Sequence, residues 1–327
     1  MKPKVVIALS IYKPNLKWLE ELLISLNNQT YQNIELLVWN DFPEDKYEYN
    51  RFFSKYIKNF KFYIKGGDKN LGVNGAFEEL TRWAEGDYIA YCDQDDIWMP
   101  EKIEKMVDVI KSTKEYLVFS DVEIIDNNSN IIAKTGKGFF AQERLYGKYI
   151  NFRYILMHNY IHGCTMLVNL AFAKNILPFP KNIKNEYHDW WIATYAAGLS
   201  KIKFIEIPLI KYRVHNFNES SLFKNIEDKN TYYQNRILVF KSKIDYVYER
   251  LKFIKSVDAE LNKVKNYADI RVNYYKNPDV NKFLKIWRFR NYNLQATYFE
   301  ILLPIIPNFV LKRFFKFLRK RSKKVSY

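Results

Sequence analysis

The chain has 327 residues, of which 48 % are apolar, so it can bury a sizeable core in one large domain or two smaller ones, and general disorder is excluded. Its 52 Lys and Arg against 36 Asp and Glu give a net charge of +16, which predicts an anionic partner: a nucleotide, a nucleic acid or an anionic membrane surface. Two cysteines, Cys92 and Cys164, exclude a disulfide framework, and no apolar stretch reaches the roughly 18 residues that span a bilayer.

Short apolar runs alternate with amphipathic segments in the first third of the chain. We expect strands at residues 5–10, 33–40, 60–64 and 88–92, and helices at 16–28, 47–56, 73–84 and after Pro100. This alternation predicts an α/β fold with a mostly parallel sheet. Helices would cover both faces of such a sheet, which fits the near-continuous apolar strands.

The remainder of the chain divides near Asn218. Before it we expect strands at 116–120, 131–133, 162–168 and 203–210, a loop-rich region at 136–159 and a helix at 186–197. Beyond it helical patterns replace strand patterns, so the predicted domains are 1–220 and a helical region over 221–327. Apolar residues between 237 and 254 alternate at spacings of three and four, which indicates a helix packed on its own domain or a coiled coil that joins two copies.

An acidic stretch follows the apolar strand at 88–92. Asp93, Asp95 and Asp96 place three carboxylates within four residues, at the point where open α/β sheets bind ligands. Because these charges repel one another, we expect a hard divalent cation, Mg²⁺ or Mn²⁺, which also holds diphosphates. The alternative is a solvated acidic turn that caps the next helix. No Gly-x-Gly-x-x-Gly or P-loop pattern is present, which leaves a metal as the common route to a diphosphate.

The C-terminal segment reads as a basic amphipathic helix. Leu311, Phe314, Phe315 and Leu318 share one face, and the opposite side carries Lys312, Lys316, Arg319, Lys320 and Lys323. No acid occurs after Glu300. This pattern predicts contact with an anionic membrane surface. The alternative is a solvated tail whose apolar face docks on the protein.

Several short motifs follow one another in order between residues 4 and 220. They are Ser10-Ile11-Tyr12, Asn28-Gln29-Thr30-Tyr31, Asp41, Asn70-x-Gly72, Gly86-Asp87-Tyr88-Ile89, Asp93-Gln94-Asp95-Asp96-Ile97-Trp98, Gly163-Cys164-Thr165-Met166, His188-Asp189-Trp190-Trp191 and Tyr212-Arg213-x-His215. In this order the chain resembles family 2 glycosyltransferases of the GT-A fold, and most closely the bacterial rhamnosyltransferase-like branch that acts on surface polysaccharides.

The resemblance implies a role for each matching residue. Nucleotide-sugar binding would fall to Ser10, Tyr12, Asp41, Asn70, Asp93 and Arg213. Asp95 of the DXD motif would hold the metal, together with Asp96 and His215. At Asp41, which would accept a hydrogen bond from the pyrimidine, the chain has Asn40-Asp41-Phe42-Pro43 where the family usually has Asp-Asp-Gly-Ser. Arg213 would contact the diphosphate or pair with one of the acids.

Asp189 is the candidate general base. An inverting transfer needs a carboxylate that takes the proton from the acceptor hydroxyl. Trp190 and Trp191 beside it, and Trp98, are candidates for stacking on sugar faces, and the first two for raising the pKa of Asp189. The alternative is that Asp189 caps its helix and the tryptophans belong to the core. His188 is expected to be structural.

These features together predict an inverting, metal-dependent glycosyltransferase. Its donor would be a nucleoside diphosphate sugar, either dTDP-rhamnose or a UDP-sugar, and its acceptor a lipid-linked glycan. We expect a cytoplasmic protein, peripheral on the inner face of the cell membrane, with no nucleic-acid partner. A processive synthase is disfavoured because transmembrane helices and a Gln-x-x-Arg-Trp pattern are absent. The remaining alternative is a basic nucleic-acid-binding or membrane-surface scaffold protein on the same fold.

Overall fold

The computed structural model describes residues 2–136, 139, 150–158, 160–181, 183, 187–215 and 226–322, with the side chains of 319–322 left aside. The chain forms two compact units, Met1–Val214 and His215–Tyr327. The domain boundary predicted at residue 220 lies outside the described residues.

The first unit contains the strands and helices of the predicted α/β region. Its strands are β1 (Val5–Ile11), β2 (Ile34–Asn40), β3 (Lys61–Gly66), β4 (Tyr88–Cys92), β5 (Ile97–Trp98), β6 (Leu117–Ile125), β7 (Ile131–Ala133), β8 (Met166–Asn169) and β9 (Ile202–Arg213). Its helices are α1 (Leu16–Asn27), α2 (Tyr49–Tyr56), α3 (Gly72–Trp83), α4 (Lys102–Thr113), α5 (Phe152–Met157), α6 (Leu170–Asn175) and α7 (His188–Gly198).

The described strands form one mixed sheet in the order β3-β2-β1-β4-β8-β6-β9-β5, with β7 paired to β6. The first four are mutually parallel, so the carboxyl ends of β2, β1 and β4 lie side by side at one edge. Strand β8 is antiparallel to both neighbours, whereas β6 and β9 are parallel. The predicted mostly parallel α/β class is confirmed.

The core lies against the sheet. Strand β1 is buried along almost its whole length, and α1 places Leu19, Leu22, Leu23 and Leu26 against it on one face. Helix α1 begins after Asn15, whose side chain accepts hydrogen bonds from the backbone N–H groups of Lys17 and Trp18. This cap fixes where the chain turns from the end of β1 into the helix.

Three local predictions differ from the structure. Strands β6 and β9 run on to Ile125 and Arg213, because each supplies the other with a parallel partner along that length. Gly163–Thr165 forms a 3₁₀ turn before β8, where a continuous strand was expected. Helix α5 lies in the range expected to be loop-rich; its Asn151 cap is a local signal that the composition of the range obscured.

The second unit is helical. Helix α8 (Lys229–Tyr232) continues through a π-helical turn, Tyr233–Leu238, into α9 (Val239–Leu251), and α10 (Asp258–Lys276), α11 (Val280–Arg288), α12 (Leu294–Leu302) and α13 (Asn308–Ser322) follow. Helix α9 packs against α10 and buries Ile244, Val247 and Leu251 within this unit. Arg271 and Glu300 form a buried ion pair, with Nε to Oε2 at 2.7 Å.

The apolar face predicted for the tail is partly covered by the protein itself. Leu311 and Phe315 are each only 1 % exposed and join a core cluster with Tyr232, Ile237 and Leu303. Phe314 of the same predicted face is 43 % exposed, so docking on the protein applies to Leu311 and Phe315, and contact of the tail with a membrane stays a prediction. Among the described residues, no helix has the length and apolar character needed to cross a bilayer.

Candidate active site

The acidic segment lies at the carboxyl end of β4. Asp93 follows the last residue of that strand, and the segment turns into β5, which pairs with β9. Two contacts from Arg213, at the end of β9, fix the turn: its backbone N–H donates to Asp96 Oδ1 at 3.0 Å, and its Nε donates to the Asp95 carbonyl at 2.7 Å. The predicted ligand-binding edge of the sheet therefore carries the three carboxylates.

The guanidinium of Arg213 is buried and contacts three further groups. Nη1 donates to the Asp126 carbonyl at 3.0 Å and to Ser129 Oγ at 2.9 Å, and Nη2 pairs with Glu21 Oε2 at 2.6 Å. These contacts tie the acidic segment to α1 and to the turn after β6. They describe a positioning residue, and the contact with a diphosphate stays a prediction.

Burial and mutual repulsion make the ionised form of these carboxylates unfavourable. Burial, then the charges of Asp95 and Asp189, raises the pKa of Asp93 to about 7. The pKa of Asp96 is also raised, first by burial and then by Asp95 and Asp93. A bound cation would offset this cost, since it favours the ionised carboxylates.

One oxygen of the acidic segment is open to a ligand. Asp96 Oδ2 is buried and has no hydrogen-bond partner among the residues the structure describes. Among the described residues, one potential metal-ligand atom from each of Asp93, Asp96 and Cys164 lies within 4.8 Å of the other two. The two carboxylates suit a hard cation such as Mg²⁺ or Mn²⁺, whereas the thiol is a soft ligand with a pKa that burial raises. The residues present therefore fit a divalent cation held through carboxylates.

Asp189 belongs to the same site. It lies in the first turn of α7, where its Oδ1 accepts a hydrogen bond from the Trp190 backbone N–H at 2.6 Å. Its charge is close enough to raise the pKa of Asp93. The start of α7 is in turn held by Asn74, whose Oδ1 accepts from the His188 N–H at 2.7 Å. The fold thus brings to the acidic segment a carboxylate that is more than ninety residues away from it along the chain.

A glycine allows this approach. A Cβ at Gly163 would lie 2.7 Å from His188 Nε2 and 3.6 Å from Asp189 Cβ. The His188 ring cannot easily yield, because it is buried against Phe77 and Tyr91, with ring centroids 4.1 and 4.9 Å away. Only glycine therefore lets the 3₁₀ turn pack directly on the residue before Asp189.

Residues predicted to bind the nucleotide lie at the ends of the neighbouring strands. Gln94 binds the backbone of Tyr12 in both directions, accepting from its N–H at 2.8 Å and donating to its carbonyl at 3.1 Å. The Tyr12 ring is 45 % exposed and lies edge-on to Phe42. Ser10 is half-buried on β1, beside Trp39 of β2. An exposed aromatic ring and the acidic segment thus share one edge of the sheet.

Asp41 follows β2 and contacts the N-terminus of α3. Its oxygens accept from the backbone N–H groups of Leu71 at 2.8 Å and Gly72 at 2.9 Å, and Asn70 Nδ2 donates to its carbonyl at 2.9 Å. Gly72 has a φ of +68°, which favours glycine. The structure brings Asp41 and Asn70 together, and their contact with a nucleotide stays a prediction.

Comparison with known proteins decides the family. Residues 7–174 match the family model described as Glycosyl transferase family 2. This chain belongs to that family. An uncharacterised glycosyltransferase of Methanocaldococcus jannaschii is 30 % identical to it over 218 residues, which are 66 % of this chain and 72 % of that protein.

A second relative is named for its activity. The glycosyltransferase is 30 % identical over 166 residues to WfgD of Escherichia coli, named a UDP-Glc:alpha-D-GlcNAc-diphosphoundecaprenol beta-1,3-glucosyltransferase. The match covers 51 % of this chain and 60 % of WfgD.

Solved structures establish the fold as GT-A. Residues 1–349 of S. aureus TarS in complex with UDP-GlcNAc superpose with a TM-score of 0.57 at 15 % identity, covering 91 % of this glycosyltransferase and 79 % of that chain. The mannosyltransferase PcManGT of Pyrobaculum calidifontis, in complex with GDP-Man and Mn²⁺, gives a TM-score of 0.52 at 12 % identity over 92 % and 84 % of the two chains.

The three candidate stacking tryptophans of this glycosyltransferase lie in its core. Trp190 and Trp191 are 0 % exposed and Trp98 is 2 % exposed. The Trp98 ring covers the Lys102 ammonium at 3.4 Å from its centroid, and Trp191 Nε1 donates to the Ile176 carbonyl. Since no face of these rings is open, the structure assigns them to packing, which corrects the predicted sugar-stacking role.

The remaining predicted ligand is His215, the first residue of the second unit, and its place at the metal stays a prediction. Sequence reasoning gave no role to Asn74 or Lys102, because each forms long-range contacts that have no local pattern. Lys102 is buried, donates to the Cys164 carbonyl at 2.5 Å, and has a pKa lowered to about 8 by burial. It brings a positive charge beneath the acidic segment.

Proposed function

We propose that this family 2 glycosyltransferase transfers a sugar, with inversion, from a nucleoside diphosphate sugar to a lipid-linked saccharide in surface polysaccharide synthesis. The observation that carries the proposal is the convergence of Asp189 on the acidic segment Asp93–Asp96. A Cβ at Gly163 would lie 3.6 Å from Asp189 Cβ, and the ligand atom of the next residue, Cys164, lies within 4.8 Å of those of Asp93 and Asp96. A base and a leaving-group site must be neighbours for a single displacement at the anomeric carbon.

Asp93, Asp95 and Asp96 would hold a divalent cation, which when bound neutralises the charge of the departing diphosphate. The orphaned Asp96 Oδ2 and the raised pKa values of Asp93 and Asp96 support this assignment. Arg213 fixes the backbone of these residues, so the spacing of the carboxylates does not depend on the substrate. His215 is a further candidate ligand.

Asp189 takes the proton from the acceptor hydroxyl as that oxygen attacks. The Trp190 N–H orients one carboxylate oxygen, and the packing of Gly163 on His188 fixes the start of α7. Trp190 and Trp191, which follow Asp189, support the helix from within the core.

The donor side is formed by Ser10 and Tyr12 at the end of β1, Asp41 at the end of β2 and Asn70 just before α3. We favour a UDP-sugar, because WfgD is named for UDP-Glc and the TarS complex contains UDP-GlcNAc. A dTDP-rhamnose donor is the alternative that the motif resemblance suggests. The name of WfgD supports a diphosphoundecaprenol-linked acceptor, and such an acceptor places the enzyme at the cytoplasmic face of the membrane.

The test is transfer with a panel of UDP-, dTDP- and GDP-sugars in the presence of Mn²⁺, with a GlcNAc-diphospho-lipid acceptor and NMR assignment of the product anomer. An inverted anomer from one donor supports the proposal, and a retained anomer refutes it. Asp189→Asn is expected to lower turnover by about 10²-fold or more while donor affinity stays unchanged. Asp108→Asn, on α4, is the matched control. Near-normal turnover of Asp189→Asn would remove it as the base.

A further inference from the structure

Exposed apolar side chains are concentrated in one part of the second unit. Among its described residues, ten of the eleven large apolar side chains that are exposed lie between residues 280 and 317, and Phe253 is the other. They are Val280, Leu284, Leu294, Tyr298, Leu302, Ile305, Phe309, Val310, Phe314 and Phe317. Single exposed apolar residues are ordinary, but such a concentration marks an interaction surface. We call these ten residues the exposed apolar set.

Nine of the ten belong to three helices that pack on one another, and Ile305 lies in the turn between α12 and α13. Trp287 of α11 contacts Tyr298 of α12, with ring centroids 5.5 Å apart, and Phe299 of α12 contacts Phe314 of α13 at 6.2 Å. Along α12 the exposed positions Leu294, Tyr298 and Leu302 repeat every four residues, which places them on one side of that helix. The apolar surface is therefore a feature of folded helices, since their other faces are already buried.

Helix α13 is apolar on two sides. Leu311 and Phe315 hold it on the core of the unit, while Phe309 and Phe317, at 64 % and 59 % exposure, project elsewhere. Phe309, Arg313 and Phe317 are four residues apart, so an exposed cation lies between two exposed aromatic rings. The docked face positions the second face firmly, which a disordered tail would not do.

The charges on this segment are of one sign. Residues 280–317 contain seven Lys and Arg and a single acid, Glu300. Glu300 is only 2 % exposed and is paired with Arg271, so it does not contribute an exposed negative charge. Asp279, just before the segment, pairs with Lys282, and Asp228 lies near Lys312. Arg313 and Lys316 form no ion pair in the part of the chain that the structure describes.

From this combination we infer that α11, α12 and α13 form a docking surface for an anionic lipid bilayer, with the exposed apolar set at the boundary of headgroups and acyl chains. Amphipathic helices with aromatic and basic residues bind such bilayers through buried apolar area and attraction to anionic lipids. A second copy is a poorer occupant, because a two-fold interface would bring the same seven cations face to face. The inference rests on the proposed function only for its purpose, access to a lipid-linked acceptor.

The test is co-sedimentation of the full chain with vesicles that contain phosphatidylglycerol, compared with vesicles of phosphatidylcholine alone. The apolar variant is Ile305→Ser with Phe309→Ser, two side chains at 75 % and 64 % exposure. Its matched control is Phe253→Ser with Ile132→Ser, at 82 % and 50 % exposure and outside residues 280–317. The charge variant is Arg313→Gln with Lys316→Gln. All changed residues are exposed, so folding is retained and is checked by circular dichroism.

We expect wild type and control to bind the anionic vesicles and to release them at high salt. The apolar variant should lose binding by about tenfold, and the charge variant by a similar factor on anionic vesicles only. Wild-type binding by either variant overturns the inference, as does a wild type that binds no vesicles. So does sedimentation velocity that shows a dimer abolished by Ile305→Ser with Phe309→Ser. Failure of the proposed function would instead appear as absent sugar transfer with vesicle binding intact.

Discussion

Arg213→Lys tests whether the buried guanidinium positions the acidic segment or binds the substrate diphosphate. The arginine side chain donates to the Asp95 carbonyl, the Asp126 carbonyl, Ser129 Oγ and Glu21. Lysine keeps the charge but has a single nitrogen at the end of a flexible stem, so it cannot reach all four acceptors. A purely electrostatic contact with a diphosphate would survive the change far better than this network.

The magnitude follows from the bonds that are lost. A hydrogen bond to a charged group contributes roughly 1.5–3 kcal/mol, and we expect about two of the four to be lost. Glu21 is 26 % exposed and can be partly solvated, which reduces the cost of losing its partner. The expected loss of unfolding free energy is about 3 kcal/mol. With a urea m-value of about 2 kcal/mol/M, the midpoint falls by about 1.5 M.

Tryptophan fluorescence during urea unfolding measures this change, because six of the seven tryptophans lie in the first unit. Mn²⁺ affinity should fall at the same time, since the carbonyl of Asp95 and the carboxylate of Asp96 lose their fixed position. Arg82→Lys is the matched control, because Arg82 is 50 % exposed and pairs with Glu78 at 2.9 Å; we expect a change of about 0.5 kcal/mol or less. An unchanged midpoint for Arg213→Lys, with weakened binding of UDP-sugar, would refute the positioning role.

Three further predictions concern the same site. Asp95→Ala should abolish divalent-dependent transfer with the unfolding midpoint unchanged, and full wild-type activity in EDTA would contradict the metal assignment. Gly163→Ala should cost about 1–3 kcal/mol of stability and lower turnover by about tenfold or more, because the added Cβ would lie 2.7 Å from His188 Nε2. Urea titration measures the stability and steady-state kinetics measure the turnover. Wild-type values of both would show that the close packing at Gly163 is not required. Burial lowers the pKa of His188 from 6.5 to about 3, so the folded state keeps this histidine neutral and the unfolding free energy should fall as pH drops from 6.5 towards 3. His188→Leu should remove up to about 1.4 kcal/mol per pH unit of that slope. An identical slope in both proteins would count against a buried neutral histidine.

The sequence predicted those parts of the site that depend on local patterns. The apolar strand at 88–92 and the acids that follow it are adjacent in the chain, so their place at a sheet edge followed from the α/β alternation. The approach of Asp189 to Asp93 followed only from the motif resemblance, because no periodicity relates residues so far apart. Asn74 and the Glu21–Arg213 pair were missed for the same reason.

The burial of aromatic residues was the second feature that the sequence alone could not predict. Three tryptophans lie beside candidate site residues in the chain: Trp98, Trp190 and Trp191. The sequence pattern of a tryptophan that packs in a core is the same as that of one that stacks on a sugar. Only their burial in the folded protein distinguishes the two. The tail shows the same ambiguity: the helical period correctly groups Leu311 with Phe315, but it does not say whether protein or lipid covers them.

The two hydrogen bonds of Gln94 limit which residues can replace it. Its side-chain oxygen accepts from the Tyr12 N–H, and its side-chain nitrogen donates to the Tyr12 carbonyl. A glutamate has no donor for the second contact and would place a fourth negative charge in the acidic segment, while an asparagine is one methylene too short for the same span. The amide therefore couples the strand end that carries an exposed ring to the turn that carries the carboxylates, so a change at this one uncharged position should disturb both halves of the donor site together.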